Sequence, residues 1–456
     1  MTPDAHRPRR PRRVVTVLLA VPVVAASLVG PGAPAATVAP EELPDETLDE
    51  LRDSEYWLED YGVEEAWETT RGEGVRIAVL DTGVDGSHPV LEGAVTAGTD
   101  VSGSGGDGGP VEQVAQEHGT LVASLAAGRG EPTGSREDSG VVGVAPEAEI
   151  LSVSMNLAIS DDGSTELEDQ VIEAVDWAIE NDADIINMSF SMPDAQQWPE
   201  SWDEAFLRAE QEDVLIVAAA GNRMSGHWSV GAPATVPGVL TVAGVDENGS
   251  VSEDASSQGI SIDISAAAEP LVGAIPEDGY AEWTGTSGAA PIVSGAAALV
   301  RAAHPELSAA EVRQRLMATA SAADEGAAEG RDPVYGRGIL DVGEAVGATE
   351  VPELEDSEQQ SLEEWIRVHR RDEGEDGEDG EGDAEETAQA TDPQQGDDAD
   401  DASDDATSDG APRDMPEATA TDDVQAWAGP AVVVGAAVVV LAVLIGAAVH
   451  LRSRRR

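Results

Sequence analysis

Residues 74–81 read GVRIAVLD, a short apolar run that ends in an aspartate and a turn. Amphipathic helical patterns at residues 166–182 and 200–213 lie between later runs of the same kind. Those further apolar runs are at residues 150–155, 184–190, 214–220, 239–245 and 260–268. Buried strands that alternate with helices predict an α/β fold, with a mainly parallel sheet and helices on both faces.

Four polar residues that could carry chemistry lie at the ends of strands or at the starts of helices. Asp81 ends the first strand, and Asn222 follows the strand at 214–220. His118 opens a helix of small residues in EHGTLVASLAAG, and Ser287 opens an Ala-rich helix in WTGTSGAAPIVSGAAALV. Because functional side chains in parallel sheets lie beyond the carboxyl ends of the strands, we expect these residues to meet there.

This set of side chains suits nucleophilic catalysis. A serine hydroxyl reacts at neutral pH only when a base removes its proton, and a histidine that is oriented by a carboxylate can be that base. The start of a helix offers backbone N–H groups to an oxyanion, and the Asn222 amide is a second donor. Each residue taken alone also fits a structural role, since Ser287 could simply cap its helix.

The stretches VLDTGVDGSHP, HGTLVASLAAG, INMSF, AAAGN and GTSGAAPIVSGAAALV resemble the subtilisin-like serine proteases, or subtilases, over residues 56–346. The resemblance implies a subtilisin-like fold and a serine endopeptidase that works through an acyl-enzyme. It implies Asp81, His118 and Ser287 as the catalytic triad and Asn222 as the oxyanion donor. The residues implied for the substrate groove are Ser189, Phe190, Ser191, Ala219, Ala220 and Gly221.

Both ends of the chain carry membrane-related patterns. A basic segment, an apolar stretch and an Ala-x-Ala site predict a signal peptide, and an uncharged apolar stretch before four arginines predicts one C-terminal span. Between domain and span, runs such as EGEDGEDGEGDAEE are too polar to form a core. The predicted segments are a signal peptide (1–36), an acidic N-terminal extension (37–55), the catalytic domain (56–350), an acidic disordered linker or tether (351–425), a transmembrane helix (426–450) and a basic cytoplasmic tail (451–456).

This layout resembles the mycosins, the membrane-anchored subtilases of type VII secretion systems, although mycosins typically carry disulfides and this chain has no cysteine. The resemblance implies a single-pass protein of the cell membrane whose catalytic domain is extracellular. The implied partners are a polypeptide substrate and a type VII secretion complex.

The composition excludes other classes of function. A net charge of −65 argues against nucleic-acid binding, which needs clustered Lys and Arg. The lack of cysteine excludes a thiol nucleophile and thiolate metal sites. We expect no metal or other cofactor. Many relatives have a calcium-binding Asp where this chain has Val90, so weak calcium binding by other carboxylates is the remaining possibility.

Other departures from the subtilase pattern lead to further expectations. Gly288 replaces a bulky residue after the nucleophile, which predicts open space behind Ser287 and a looser helix start. Ser191 replaces a glycine and is expected to narrow or polarise the primary specificity pocket. Trp283 is expected to line that pocket. The short extension before Tyr56 leaves no room for a folded inhibitory propeptide, so we expect it to pack on the domain or hang free.

Two alternatives remain from the sequence. Gly288 and Ser191 are compatible with an inactive subtilase-like scaffold that stabilises a membrane complex. The D-T-G at Asp81 also occurs in aspartic proteases, which need a second carboxylate in the same site. The other candidate for that role, Asp138, follows no apolar strand.

Overall fold

Seven parallel strands form the central sheet of the protein. The computed structural model describes residues 40–370, apart from 44–46, 105, 112, 114, 133–137, 158–163, 193–196, 227, 253–254, 324–330, 353 and 355–360. The strands of this sheet are β2 (Arg76–Asp81), β3 (Val95–Asp100), β6 (Glu149–Ser154), β7 (Ile185–Met188), β8 (Leu215–Ala219), β9 (Leu240–Asp246) and β10 (Ile264–Glu269). Their order across the sheet is β10-β9-β8-β7-β2-β6-β3, so the non-sequential neighbours need crossover connections.

Five further strands of the described residues lie outside the central sheet. These are β1 (Glu41–Glu42), β4 (Arg129–Glu131), β5 (Ser139–Val142), β11 (Leu271–Ile275) and β12 (Gly279–Trp283). The strands β1, β12 and β11 form one antiparallel sheet, and β4 pairs with β5. Strand β12 ends immediately before the helix that begins with the Ser287 segment, so it fixes the approach of the chain to that helix.

Helices cover both faces of the central sheet, as the sequence predicts. They are α1 (Leu48–Asp53), α2 (Trp57–Asp60), α3 (Val63–Ala66), α4 (His118–Ala127), α5 (Ser164–Glu180), α6 (Asp203–Gln211), α7 (Thr286–Ala303), α8 (Ala309–Ala318), α9 (Val342–Gly347) and α10 (Leu362–His369). The helices α4, α7 and α8 share one apolar core, and α5 and α6 share the other. In β2, Ile77 and Val79 enter the first core while Ala78 and Leu80 enter the second. Burial on both faces explains why this strand is apolar at every position in that run.

Two predicted elements begin later than the sequence patterns indicate. The run at 260–268 becomes a strand only at Ile264. Before it, Ile260 is 87% exposed and Asp263 is fully buried. Asp263 accepts hydrogen bonds from Arg313 and Arg331. The predicted helix at 200–213 begins with a 3-10 turn, Glu200–Trp202, before α6.

The N-terminal extension packs on the domain, which is one of the two arrangements expected from the sequence. Strand β1 pairs with β12, and Thr47 caps α1 in a capping box with Glu50. The backbone N–H of Val142 in β5 donates to both carboxylate oxygens of Glu55, at 2.9 and 3.1 Å. Burial raises the pKa of Glu55 well above its ordinary value, although the nearby Arg52 and this hydrogen bond act in the opposite direction.

The prediction that residues 351–425 form a disordered linker is wrong for the segment 361–370. Helix α10 docks on α6, with Leu362 buried and the Trp365 ring 4.4 Å from the Trp198 ring. The Arg370 guanidinium lies 2.7 Å from Asp203 and also faces both indoles. These apolar and cation–π contacts give the segment 361–370 a buried surface on the domain.

In the part of the chain that the structure describes, none of the helices has the length and apolar character needed to span a bilayer. The predicted signal peptide, the linker beyond residue 370, the predicted span at 426–450 and the tail at 451–456 all lie outside the described residues.

Candidate active site

Asp81 and His118 form a buried hydrogen-bonded pair at the carboxyl edge of the sheet. The His118 Nδ1 lies 2.8 Å from Asp81 Oδ1, and Asp81 has no exposed surface. Thr82 stabilises this contact, since its backbone N–H donates to the same Asp81 oxygen at 2.7 Å. Its hydroxyl oxygen accepts from the Gly119 N–H at 2.9 Å and so holds the start of α4.

Glycine is required where α4 approaches the loop that follows β2. A Cβ on Gly119 would stand 2.3 Å from the carbonyl oxygen of Gly83, far inside van der Waals contact. The glycine of the H-G-T motif therefore has a structural role, because it allows α4 to approach closely enough for His118 to contact Asp81.

The surroundings of His118 adjust its basicity. Burial lowers the pKa of the imidazole, but the charge of Asp81, the hydrogen bond that His118 donates to Asp81 and the charge of Glu117 raise it by more. The net result is a His118 pKa above its ordinary value. An imidazole held in this way by a carboxylate has its Nδ1 occupied and its Nε2 available for a substrate or a nucleophile.

Ser287 lies in the first turn of α7 and is 5% exposed. Its hydroxyl donates to the backbone oxygen of Ser189 at 2.9 Å, and the Ser189 hydroxyl donates back to the Ser287 carbonyl oxygen at 2.8 Å. This reciprocal pair ties α7 to the segment that follows β7. The Ser287 hydroxyl is therefore directed at Ser189 and not at His118.

The ring of Trp283 connects the two halves of the site. Its plane meets the His118 ring at 80°, with the ring centroids 5.8 Å apart. The same indole lies beside α7, with its Cζ2 atom 3.2 Å from the position of a Cβ on Gly288. His118 and the residue after Ser287 therefore share one aromatic neighbour.

Asn222 lies against the start of α7 with its amide orientation fixed by Thr286. The Asn222 Oδ1 accepts from both the backbone N–H and the hydroxyl of Thr286, each at 2.9 Å. The Thr286 hydroxyl oxygen in turn accepts from the Gly221 N–H at 3.1 Å. Because the side-chain oxygen already accepts hydrogen bonds from Thr286, the amide Nδ2–H group is the donor that Asn222 can offer to an oxyanion.

The six predicted groove residues lie on two segments: residues 189–191 follow β7, and residues 219–221 begin with the last residue of β8. Gly221 is held in a positive-φ conformation (100°), and the Ser257 N–H donates to its carbonyl oxygen at 2.7 Å. The Ser191 hydroxyl oxygen is buried and has no hydrogen-bond partner among the described residues. This oxygen lies 3.0 Å from the position of a Cβ on Gly231, so a side chain at residue 231 would collide with Ser191. The polarising role expected for Ser191 stays a prediction.

Three positioning residues were not predicted from the sequence: Thr286, Asn187 and Ser294. The Ser294 hydroxyl donates to Asn187 Oδ1 at 3.0 Å, and Asn187 Nδ2 donates to the Ser189 hydroxyl at 2.9 Å. The available signals were a polar residue inside the buried strand β7 and a serine seven positions after Ser287, on the same helix face.

The prediction that Gly288 opens space behind the nucleophile is wrong. A Cβ at Gly288 would meet Leu271 Cδ1 at 2.2 Å and Leu125 Cδ1 at 3.3 Å, in addition to the indole of Trp283. Trp283 is only 4% exposed, so it packs in the core instead of lining an open pocket. The volume that a bulky residue would occupy is filled from the neighbouring elements.

Val90, at the position expected to lack a calcium ligand, is fully buried, and its N–H donates to His88 Nδ1. Within the described ranges, no group of three or more His, Asp or Glu side chains is arranged to hold a metal ion.

Comparisons with known proteins place this geometry in context. The model of the Subtilase family matches residues 72–338. The chain is 34% identical over 238 residues to an intracellular serine protease of Paenibacillus polymyxa, across 52% of this chain and 69% of that protein. It is 33% identical over 273 residues to subtilisin E of Bacillus subtilis, across 59% of this chain and 65% of that protein.

Solved structures give a second comparison. One is the MycP3 protease from the type VII (ESX-3) secretion system, with a TM-score of 0.57, 29% identity and coverage of 68% of this chain and 91% of that chain. Another is MycP1 from Mycobacterium smegmatis, with a TM-score of 0.57, 26% identity and coverage of 72% and 91%. The fold of the central domain is therefore subtilisin-like.

The coupling between Asp81 and His118 predicts a defined pH response. Asp81→Asn removes the charge that raises the pKa of His118 while the burial that lowers it remains. Reactivity of Ser287 appears as the pH rises through the His118 pKa, so the midpoint of this rise moves to lower pH in the variant. The plateau rate falls by about 10⁴-fold, because the imidazole loses its tautomer and orientation.

The rate of reaction with a fluorophosphonate, followed across pH, measures both effects. Glu117→Gln is the matched control: it removes a smaller charge effect, so the midpoint moves slightly in the same direction with no loss of plateau. An Asp81→Asn profile identical to wild type would contradict the assigned pair.

Proposed function

Because the chain belongs to the subtilase family of serine proteases, we propose that it is a membrane-anchored, extracytoplasmic serine endopeptidase that uses Asp81, His118 and Ser287. The observation that carries this proposal is the buried 2.8 Å contact between Asp81 and His118 at the sheet edge where α7 begins. The aspartic-protease alternative lacks support, since Asp81 pairs with an imidazole and not with a second carboxylate.

In the proposed reaction, an extended polypeptide adds along the segments 189–191 and 219–221 through backbone hydrogen bonds. The substrate then competes for the groove backbone on which the Ser287 hydroxyl rests. Once turned toward His118, the Ser287 oxygen attacks the substrate carbonyl carbon, and its proton passes to His118 Nε2. Asp81 keeps the opposite ring nitrogen oriented and stabilises the imidazolium.

The charge that develops on the substrate oxygen is stabilised by Asn222 Nδ2 and by backbone N–H groups in the first turn of α7. One donor of this kind changes kcat by about 10²–10³-fold. His118 gives its proton to the leaving amine, which releases the first product and leaves an acyl group on Ser287. A water molecule, deprotonated by His118, hydrolyses this ester and restores the enzyme.

We place the chain at the cell membrane, with its catalytic domain outside. The uncharged stretch from 426 to 449 and the arginines after it support this anchor. The neighbours MycP3 and MycP1 motivate the narrower proposal that the chain works beside a type VII secretion complex. For a tethered protease, the substrates would be polypeptides that pass or assemble at that membrane.

Ser287 is the predicted site of covalent labelling. The full-length chain in membranes is treated with a fluorophosphonate, and the modified peptide is identified by mass spectrometry. Wild type is expected to carry one adduct on Ser287, and Ser287→Ala none. The control is Ser265→Ala, which alters a buried serine of β10 outside the site and keeps the adduct. A folded wild-type chain that resists labelling would favour the inactive scaffold.

The anchor has its own test. A chain that ends at residue 425 is expected to appear in the culture medium and to remain reactive toward the fluorophosphonate, while the full chain sediments with membranes and resists extraction by salt. Membrane retention of the shortened chain, or release of the full chain, would overturn the proposed anchor without affecting the catalytic proposal.

A further inference from the structure

The indole of Trp283 fills a space between three elements of the site. Trp283 ends β12 and pairs in register with Leu271 of β11. Its Nε1 lies 3.3 Å from the position of a Cβ on Gly273, and its Cζ2 lies 3.2 Å from the same position on Gly288. The indole thus lies between β11 and α7 while its ring contacts His118 at the start of α4.

Both glycines are required for this arrangement. A Cβ on Gly288 would collide with Leu271 at 2.2 Å, and a Cβ on Gly273 would approach Leu121 Cδ2 at 2.9 Å. Because protein interiors are closely packed, side chains at positions 273 and 288 could not be accommodated together with the indole. The absence of a side chain at 288 and the presence of a large one at 283 are therefore complementary features of one packed unit.

Hydrogen bonding does not explain the choice of tryptophan here. The Trp283 Nε1 is buried and has no hydrogen-bond partner among the described residues. An unpaired buried N–H is unfavourable, so the indole is kept by its shape and contacts. The strand behind it is fixed to α4 by the Ser124 hydroxyl oxygen, which accepts from the Ala274 N–H at 3.0 Å. The indole therefore packs against a strand that is fixed to α4.

We propose that Trp283 is a positioning residue for catalysis, which holds the His118 ring in the plane that connects Asp81 with Ser287. The hydrogen bond at Nδ1 orients one edge of the imidazole. The T-shaped contact with the indole is a second contact, which restricts the remaining movement of the ring and covers part of its surface. The inference rests on the proposed function of His118 as the base.

The test compares fluorophosphonate reaction rates of full-length variants across pH, with circular dichroism as the check on folding. Trp283→Ala is expected to lower the plateau rate about ten- to hundredfold, the effect of a small misplacement of a catalytic group. The pH at the midpoint of the rate profile increases in this variant. Water can reach the imidazole, so the burial that lowers the His118 pKa is reduced and this pKa rises. Trp283→Phe, which keeps a flat ring and removes the unpaired N–H, stays within about threefold of wild type with an unchanged midpoint.

Trp202→Ala is the matched control. Trp202 is also fully buried, but it stacks on Phe206 in the core on the other face of the sheet. This variant is expected to lose thermal stability without a change in midpoint or plateau. If Trp283→Ala fails to fold, Trp283→Leu replaces it, with a reduced plateau and a raised midpoint expected.

The outcomes separate the two proposals. Labelling of wild type together with wild-type rates and midpoints in Trp283→Ala or Trp283→Leu overturns the positioning role alone. The same conclusion follows if Trp202→Ala reproduces their profile. A folded wild-type chain that is not labelled overturns the proposed function and this inference together.

Discussion

The hydrogen bond between Asp81 and His118 is the contact on which the site depends. It requires a carboxylate at the end of a central strand and the first residue of α4 to meet in a buried position. The close approach of Gly119 to Gly83 makes this possible, and Thr82 secures it from both sides. Since β7 and β8 follow β2 in the sheet, the residues after their ends reach the same edge.

The second half of the site is organised by α7. Thr286 orients the Asn222 amide and holds the Gly221 backbone, while Ser189 exchanges hydrogen bonds with Ser287. Each of these polar groups is buried and paired, which rigidifies the start of the helix. The Ser287 hydroxyl points at the backbone oxygen of Ser189, and in the proposed mechanism it turns from there toward His118 when a peptide binds.

Local sequence patterns predicted most of the central fold, because strands buried on both faces and amphipathic helices leave clear signatures. The candidate site residues could be selected from the sequence for a different reason: D-T-G, H-G-T and G-T-S are each contiguous in the chain. Packing between distant elements could not be predicted: nothing near Gly288 indicates that Leu271 and Trp283 fill its space. The docking of α10 was missed likewise, because it depends on the contact between Trp365 and Trp198, which are far apart in the sequence.

The most direct test of the account is a crystal structure of the domain with a peptide boronate, which imitates the tetrahedral intermediate. The account predicts a covalent bond from boron to the Ser287 oxygen. One boronate oxygen should accept from Asn222 Nδ2, and His118 should lie between the adduct and Asp81. A peptide that occupies the groove without this bond, with the Ser287 hydroxyl still on the Ser189 oxygen and the imidazole turned away, would contradict it.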